Sequence, residues 1–325
     1  MSGGPNNQGM DERLNHQHRP QSSSQQRILD TEKGPRHKNL DGAFDGSFAG
    51  TARQHTETFV RPWYLRSQYF TEGWMDTSIW RAAMVELCAT AFQLYLSGQL
   101  GITLMNYKIT QIAAYVGIYN SLLLAVFIYA TAPASGGHMN PLITFACMIC
   151  GLCPVSRGVL YLVAQTIGGA LAGGALLGSW GEDRAVSHMG GGVFFDPAII
   201  SPGQVLLTEI MSSAAMVFLG IGVGLDPRQQ LIFGPQLAPL LVGISMGIVT
   251  SSTTGIAPGY AGASINPARA FGLAVARGSF DYQWIWWVGP ALGAMVVAVL
   301  YELAPPSHAQ EADENANARQ STNEY

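Results

Sequence analysis

The sequence predicts an all-α membrane protein with six transmembrane helices and two re-entrant half-helices, arranged as an inverted repeat. Three observations predict this class. Only 12% of the 325 residues are charged, against about 25% in an ordinary soluble domain. Six apolar stretches are near the roughly 20 residues that a spanning helix needs. Two shorter apolar segments each begin with the dipeptide Asn-Pro, at Asn140 and Asn266.

The six long stretches carry almost no charge. They are Ala82–Leu104, Ile109–Tyr129, Gly158–Trp180, Gly203–Leu225, Leu237–Thr254 and Tyr282–Tyr301. The first contains Glu86, the fourth contains Glu209, and the others contain no charged residue. The segments Asn140–Cys150 and Asn266–Arg277 are too short to cross a bilayer, so they are predicted to be the half-helices.

Both ends of the chain are predicted to be disordered because their composition cannot bury enough apolar surface. These tails are residues 1–79, rich in Gln, Ser, Asn and Gly, and residues 304–325, which are acidic. Within the first tail, residues 59–74 combine aromatic residues with Arg. This segment either lies at the headgroup level or is a linker with chance aromatics.

The basic residues orient the membrane domain, residues 80–303. The basic N-terminal tail, Arg157 and Arg228 fall on one side, whereas Lys108 and Arg184 fall on the other. The positive-inside bias therefore predicts that both termini are cytosolic, which agrees with an even number of spans.

The membrane domain contains an internal repeat. Glu86 precedes Asn140 by 54 positions, and Glu209 precedes Asn266 by 57. Repeat one is predicted over 80–180 and repeat two over 203–303, with a loop at 181–202. Each unit has three spans, an odd number, so the second copy must be inverted. Inverted repeats with short interrupted segments indicate a site near the midplane, between the repeats.

The Asn-Pro pairs have a physical meaning at a helix start. Proline suits the first helical position because it lacks the N–H that would be unsatisfied there, and Asn is a strong N-cap. Asn140-Pro141 and Asn266-Pro267 each predict a helix N-terminus with a positive dipole end. The Asn side-chain NH₂ stays free to donate outward. Irregular backbone at this depth is tolerated where protein buries it or water lines it.

These residues resemble a known family. Ser135-Gly-Gly-His-Met-Asn-Pro-Leu-Ile-Thr and Gly262-Ala-Ser-Ile-Asn-Pro-Ala-Arg-Ala-Phe-Gly are similar to the two NPA-motif loops of the aquaporins, or major intrinsic proteins. The resemblance covers about Trp80 to Tyr301 and favours a fungal member of the orthodox or peroxide-permeable type. It implies a right-handed aquaporin-like bundle and a homotetramer with one pore in each subunit.

The resemblance also implies a mechanism. Asn140 and Asn266 are expected to donate to one central water, and the opposed half-helix dipoles with Arg269 are expected to exclude protons and ions. Arg269 lies three residues after Asn266, on the same helical face, and a buried Arg in a membrane is functional by default. The motif residues are Pro141 and Leu142 in the first loop and Pro267 and Ala268 in the second. Leu142 replaces the usual Ala.

The family's selectivity filter maps, counting back from the Asn residues, onto Asn120, Thr254 and Ala263, together with Arg269. Strict water channels place larger residues at the first two positions, so a wider filter is expected here. Glycerol channels usually carry Asp where Ala270 stands. The interpretation is a passive channel for water and small neutral solutes such as hydrogen peroxide, with a glycerol channel as the alternative.

Several features allow two interpretations. Glu86 and Glu209 either support the half-helix loops, as in the family, or couple protons in a secondary transporter. His138 either senses pH or makes a structural hydrogen bond. Cys147, Cys150 and Cys153 have a spacing seen in metal sites, but on a half-helix in the bilayer they are expected to be small apolar residues. An alternative function of a different class is a signalling or adhesion scaffold that does not depend on permeation.

The remaining expectations follow from the channel interpretation. No enzyme activity, cofactor, metal or nucleic-acid partner is expected; the partners are water, small neutral solutes, membrane lipid and other copies of the chain. The plasma membrane is favoured over an internal membrane. The run from Gly168 to Gly174 is expected to supply small residues for close helix packing.

Overall fold

The computed structural model describes Tyr64, residues 67–226 and residues 230–303, of which 230–232 by backbone only. Most of the two predicted tails therefore lies outside the described residues. The described part is helical, and its α-helices are α1 (Ser67–Thr71), α2 (Thr77–Asn106), α3 (Ile112–Ser135), α4 (Pro141–Ile149), α5 (Val155–Trp180), α6 (Glu182–Ser187), α7 (Pro202–Gly220), α8 (Gln230–Thr253), α9 (Pro267–Arg277) and α10 (Ile285–Leu303).

Six of these helices are long, and they match the six predicted apolar stretches. Five are long and apolar enough to cross a membrane by length and composition, counting α7 with the turn that follows it and α8 from Phe233. The sixth, α2, has 30 residues and includes the charged Arg81 and Glu86. The all-helical membrane fold predicted from the sequence is thus confirmed.

Local capping explains where the long helices begin. The Asp76 carboxylate accepts a hydrogen bond from the Ser78 backbone N–H at 2.8 Å, which fixes the start of α2. That same bond lowers the pKa of Asp76 below its ordinary value. Helix α7 begins with Pro202 after Ser201, whose side chain forms a reciprocal capping box with Gln204.

The helices pack as two interlocked repeats. In the first repeat α2 packs against α5, and in the second α7 packs against α10. Helices α3 and α8 pack against each other across the repeats. The short helices cross over: α4 packs against α10 of the second repeat, and α9 packs against α5 of the first. Each half-helix is therefore held partly by the last long helix of the other repeat.

Glycines allow the closest of these approaches. A Cβ at Gly173 of α5 would lie 2.0 Å from the carbonyl oxygen of Gly272 in α9, and one at Gly169 would lie 2.4 Å from that of Ala268. The predicted small-residue packing in α5 is confirmed, and it brings the backbone of the second half-helix directly against the first repeat.

Some features were not predicted. A π-turn at Ile221–Leu225 extends α7, and α8 is kinked at Gly234, where φ is 64° and Pro235 follows. The connection between the repeats contains α6 and a 3₁₀ turn at Met189–Gly191. Near its end, the Asp196 N–H donates to the Gly259 carbonyl at 2.8 Å, which ties this connection to the loop before α9.

Candidate pore

The two Asn-Pro pairs lie at the N-termini of α4 and α9, with proline in the first turn of each helix. The Asn140 side-chain oxygen accepts the Leu142 N–H at 2.9 Å, and the Asn266 oxygen accepts the Arg269 N–H at 3.2 Å. Each Asn is thus an N-cap. Its oxygen stabilises its own helix, which leaves its NH₂ group to donate elsewhere.

The two NH₂ groups bind across the repeats. Asn140 donates to the carbonyl of Ile265 at 2.9 Å, and Asn266 donates to the carbonyl of Met139 at 3.4 Å. Each Asn is only 3% exposed. The two helix N-termini therefore meet inside the protein, held by a reciprocal pair of hydrogen bonds.

The residues before the two asparagines share an unusual backbone conformation. Met139 has φ 47° and Ile265 has φ 44°, in the left-handed backbone region that residues other than Gly rarely adopt. Such conformations cost on the order of 1–3 kcal/mol each and persist where surrounding contacts determine them. At both positions the strained backbone turns the carbonyl toward the asparagine of the other repeat. The hydrogen bonds between the two repeats therefore maintain the strain.

Glu86 holds the first of these loops. Its carboxylate accepts the backbone N–H groups of His138 at 3.0 Å and Met139 at 2.6 Å. It also accepts the Ser135 hydroxyl at 2.6 Å and the Gln165 amide at 2.8 Å. Glu86 is fully buried, and these four donors replace the water that its charge would otherwise need.

Glu209 does the same for the second loop. It is fully buried and accepts the N–H groups of Ser264 at 2.6 Å and Ile265 at 3.1 Å. The two carboxylates are therefore repeat-related acceptors that hold the strained backbone just before each asparagine.

A first cavity reaches the paired asparagines. Its lining is mostly apolar, with backbone and side-chain polar groups at His138, Asn140 and Asn266. It also includes Ile143, at the position of the first repeat that corresponds to Arg269. The His138 ring lies 3.1 Å from the Thr144 hydroxyl through Nδ1, and its Nε2 has no hydrogen-bond partner among the described residues.

A second cavity lies beside Arg269 and is more polar. The residues that line it are Gln93, Leu94, Ser97, Asn120, Met246, Thr250, Ser264, Asn266 and Arg269. Three of them, Gln93, Met246 and Asn266, also line the first cavity. The two cavities therefore share a wall at Asn266, and Asn140 lines the first of them.

Two of the four predicted filter residues line the second cavity. Asn120 and Arg269 both line the second cavity. Thr250, one helical turn before Thr254, also lines it; the Thr254 hydroxyl donates to the Thr250 carbonyl at 2.8 Å. The Ala263 N–H donates to the Thr253 hydroxyl at 3.2 Å, so the loop that carries Ala263 is fastened to the end of α8.

Other predicted positions are buried in packing. Leu142 is 1% exposed and belongs to a hydrophobic cluster drawn from both repeats. Pro141, Pro267 and Ala268 are buried in the first turns of their helices. Cys147, Cys150 and Cys153 are buried. Among the residues that the structure describes, no group of His, Cys, Asp and Glu side chains forms a candidate metal site.

Sequence reasoning missed Gln93, Met246 and Thr250. One signal was available for the first of them. Gln93 lies seven residues after Glu86, two helical turns along the same face, and Met216 lies seven residues after Glu209. Met216 lines the first cavity, so the repeat itself identifies this face of α2 and α7 as a wall of the path.

Comparisons with known proteins agree with this architecture. The family described as MIP, major intrinsic protein, matches residues 73–301. "Aquaporin PIP-type" of Atriplex canescens is 31% identical over 265 residues, covering 78% of this chain and 90% of the relative. "Aquaporin TIP4-1" of Zea mays is 35% identical over 190 residues, covering 58% of this chain and 69% of the relative.

A solved structure shows the same fold. The X-ray structure of the aquaglyceroporin from Plasmodium falciparum superposes with a TM-score of 0.58 at 19% identity. The match covers 72% of this chain and 99% of that structure. At this identity the likeness shows the fold alone, and the solute must be argued from the residues of the pore.

Proposed function

Because the chain belongs to the major intrinsic protein family, the aquaporins, we propose that it is a passive channel for water and small neutral solutes such as hydrogen peroxide. The observation that carries this proposal is the reciprocal pairing of Asn140 and Asn266, which both line the first cavity, while Asn266 also lines the second. Two helix N-termini that meet on a polar path form a site for a neutral hydrogen-bond acceptor.

The geometry supports ion exclusion. Backbone N–H groups and the dipoles of α4 and α9 put partial positive charge at the midpoint, and Arg269 adds a full positive charge one cavity further on. A water whose oxygen accepts from both Asn NH₂ groups has its own protons directed away from the centre. A hydrogen-bonded chain of waters is then interrupted there, so protons cannot pass along it.

The second cavity supports a solute range wider than water. Asn120 and Thr250 line the same cavity as Arg269 with small polar groups, and Ala263 adds no bulk to the nearby loop. Hydrogen peroxide is close to water in size and in hydrogen bonding, so this lining favours its passage. The absence of Asp after Arg269, where Ala270 stands, favours peroxide over the alternative substrate, glycerol.

Proton-coupled transport is less well supported. Glu86 and Glu209 are fully buried and bound to the backbone of the loops. Among the described residues that line the two cavities, none is a carboxylate. A coupling carboxylate would need contact with the transported solute, and these two are engaged in holding the asparagines in place.

The assembly and placement are part of the same proposal. We take the channel to be a homotetramer with one pore in each subunit, of the orthodox or peroxide-permeable type known from fungi. Both termini are cytosolic and the plasma membrane is the favoured location, because the basic N-terminal tail and Arg157 lie on one side of the spans.

Reconstituted permeability tests the proposal. Purified full-length protein in lipid vesicles is expected to raise water flux in stopped-flow light scattering and peroxide flux measured with an enclosed peroxide sensor, with glycerol uptake far lower. Protein-free vesicles and an Ala263→Trp variant, which adds a bulky ring directly before Ser264 of the second cavity, are the controls. Accumulation driven by a proton gradient would overturn the channel proposal; water flux without peroxide flux would overturn the wide filter.

A further inference from the structure

Gln93 has an uncharged polar side chain, and among the described residues of α2 it is the one that lines both cavities. It is 7% exposed, and its side-chain oxygen is buried without a hydrogen-bond partner among the described residues. Buried polar atoms are nearly always satisfied. An orphaned oxygen on the wall of a solute path indicates that a molecule in that path supplies the missing donor.

The position of Gln93 is defined by its neighbours. In both cavities it lines the wall together with Asn266 and Met246, and in the second cavity Asn120 and Arg269 are also present. The side chain therefore lies on the wall that the two cavities share with Asn266. Arg269 and the Asn NH₂ groups are donors, so the unpaired Gln93 oxygen is an acceptor that a solute bound beside them can use.

The inverted repeat provides an internal comparison. Gln93 follows Glu86 by seven residues, and Met216 follows Glu209 by seven. Met216 is fully buried and lines the first cavity but not the second. The first repeat therefore has an amide at this position, and the second repeat has a thioether. Of the two residues, only Gln93 lines the cavity of Arg269 and carries a strong hydrogen-bond acceptor.

We propose that Gln93 is a specificity-determining residue of the pore, which accepts a hydrogen bond from a hydroxyl of the permeating solute. This inference rests on the proposed channel function. The class of solute it favours is small neutral molecules with two hydroxyl groups, of which hydrogen peroxide is the smallest. One end of such a molecule accepts from Asn266 while its other end donates to Gln93, whereas a water molecule has a single oxygen for both contacts.

Gln93→Met tests this inference, because methionine has a similar length and stands at the equivalent position of the second repeat. Full-length wild type and variant are reconstituted in phosphatidylcholine vesicles, and peroxide and water permeability are measured on the same preparation. We expect the ratio of peroxide to water permeability to fall about fivefold, the factor that one ordinary hydrogen bond contributes to an equilibrium. Gln93→Leu provides the same deletion if the methionine variant does not fold.

Phe92→Met is the matched control. Phe92 is the preceding residue of α2 and is 64% exposed on the outer surface of the bundle, so this variant is expected to keep the wild-type ratio. An unchanged ratio in Gln93→Met or in Gln93→Leu, with water flux retained, overturns the role of Gln93 alone. Wild-type vesicles that carry no water overturn the channel function itself, which separates the two failures.

Discussion

At the scale of single residues, two buried carboxylates determine whether the pore centre exists. Glu86 and Glu209 each accept consecutive backbone N–H groups just before an asparagine. Those loops contain Met139 and Ile265 in the left-handed region, a conformation that the chain would not keep without an acceptor to satisfy its turned N–H groups. The carboxylates therefore act on the pore through the backbone.

Removing either carboxylate is expected to destabilise the fold. Glu209→Ala leaves two buried N–H donors without an acceptor, each costing about 1–3 kcal/mol. Glu86→Ala should cost more, because the Glu86 carboxylate accepts from a hydroxyl and an amide in addition to two N–H groups. Thermal unfolding of the purified protein in detergent measures the effect.

The control for this pair is Glu182→Ala, at an exposed position in the first turn of α6. It should change stability by no more than about 0.5 kcal/mol. Equal midpoints for Glu182→Ala and Glu209→Ala would show that the buried carboxylate does not hold the loop.

Single residues also show what sequence reasoning could reach. Asn140, Asn266 and Arg269 were found because their motif is local: a cap, a proline and a cation on one helical turn. Thr254 was placed by counting along the chain and stays a prediction, and the structure adds Thr250, one turn earlier on the same face, to the cavity wall. Helix α8 ends at Thr253, directly before Thr254.

At the scale of elements, the contact between α5 and α9 is one of the tightest in the bundle. Gly169 and Gly173 lie against the backbone of Ala268 and Gly272, so the second half-helix has no room to move away from the path. Packing at backbone distance fixes the depth at which Asn266 meets its partner.

Two adjacent glycines of α5 make this contact testable. A Cβ at Gly173 would lie 2.0 Å from the Gly272 carbonyl oxygen, whereas one at Gly174 would meet nothing within 4 Å. Gly173→Ala is expected to lose about 1–3 kcal/mol through overpacking, with reduced water flux as α9 is displaced. Gly174→Ala should gain about 0.5–1 kcal/mol, since alanine is the better helix former.

Denaturation midpoints of the two variants in the same detergent decide the matter. A Gly173→Ala protein as stable as Gly174→Ala would mean that α5 and α9 can separate without loss. The glycine run predicted close helix packing on α5, because small residues let helix backbones approach in a membrane; that α9 is the partner came from the structure. The π-turn after α7 and the kink at Gly234 were not predictable, since both depend on how neighbouring helices pack and leave no periodic pattern.

At the scale of the whole molecule, the N-terminal tail joins the bundle close to one end of the path. Tyr69 of α1 donates through its hydroxyl to the carbonyl of Met148 at 2.7 Å and also to that of Cys153. Burial raises the pKa of Tyr69 well above its ordinary value, so the hydroxyl remains a donor across the physiological range. Helix α1 is thereby fastened to the C-terminal end of the first half-helix and the turn after it.

If the tail covers the pore mouth beside its attachment point, deleting Met1 to Gln68 is expected to raise water permeability per channel. Tyr69 and its two acceptors remain in the truncated protein. Stopped-flow flux, normalised to the amount of channel in the vesicles, provides the measurement. Equal flux per channel in the full-length and truncated proteins would rule out a plug.

The whole fold was more predictable than the path inside it. Length, charge depletion and the two Asn-Pro starts were enough for six spans and two half-helices, because the bilayer permits few alternatives. The lining could not be read in the same way, since Gln93, Met246 and Thr250 belong to no motif and become neighbours only when α2 and α8 meet around Asn266.

The crossing of the half-helices has a consequence for biosynthesis. The acceptor of Asn140 is the carbonyl of Ile265, 125 residues later in the chain, and α4 packs against α10, the last helix made. At about 5–20 residues per second of translation, the first half waits on the order of ten seconds before its partner emerges. During that interval the nascent chain holds an open polar loop at membrane depth, so the insertion machinery has to shelter it until the second half arrives.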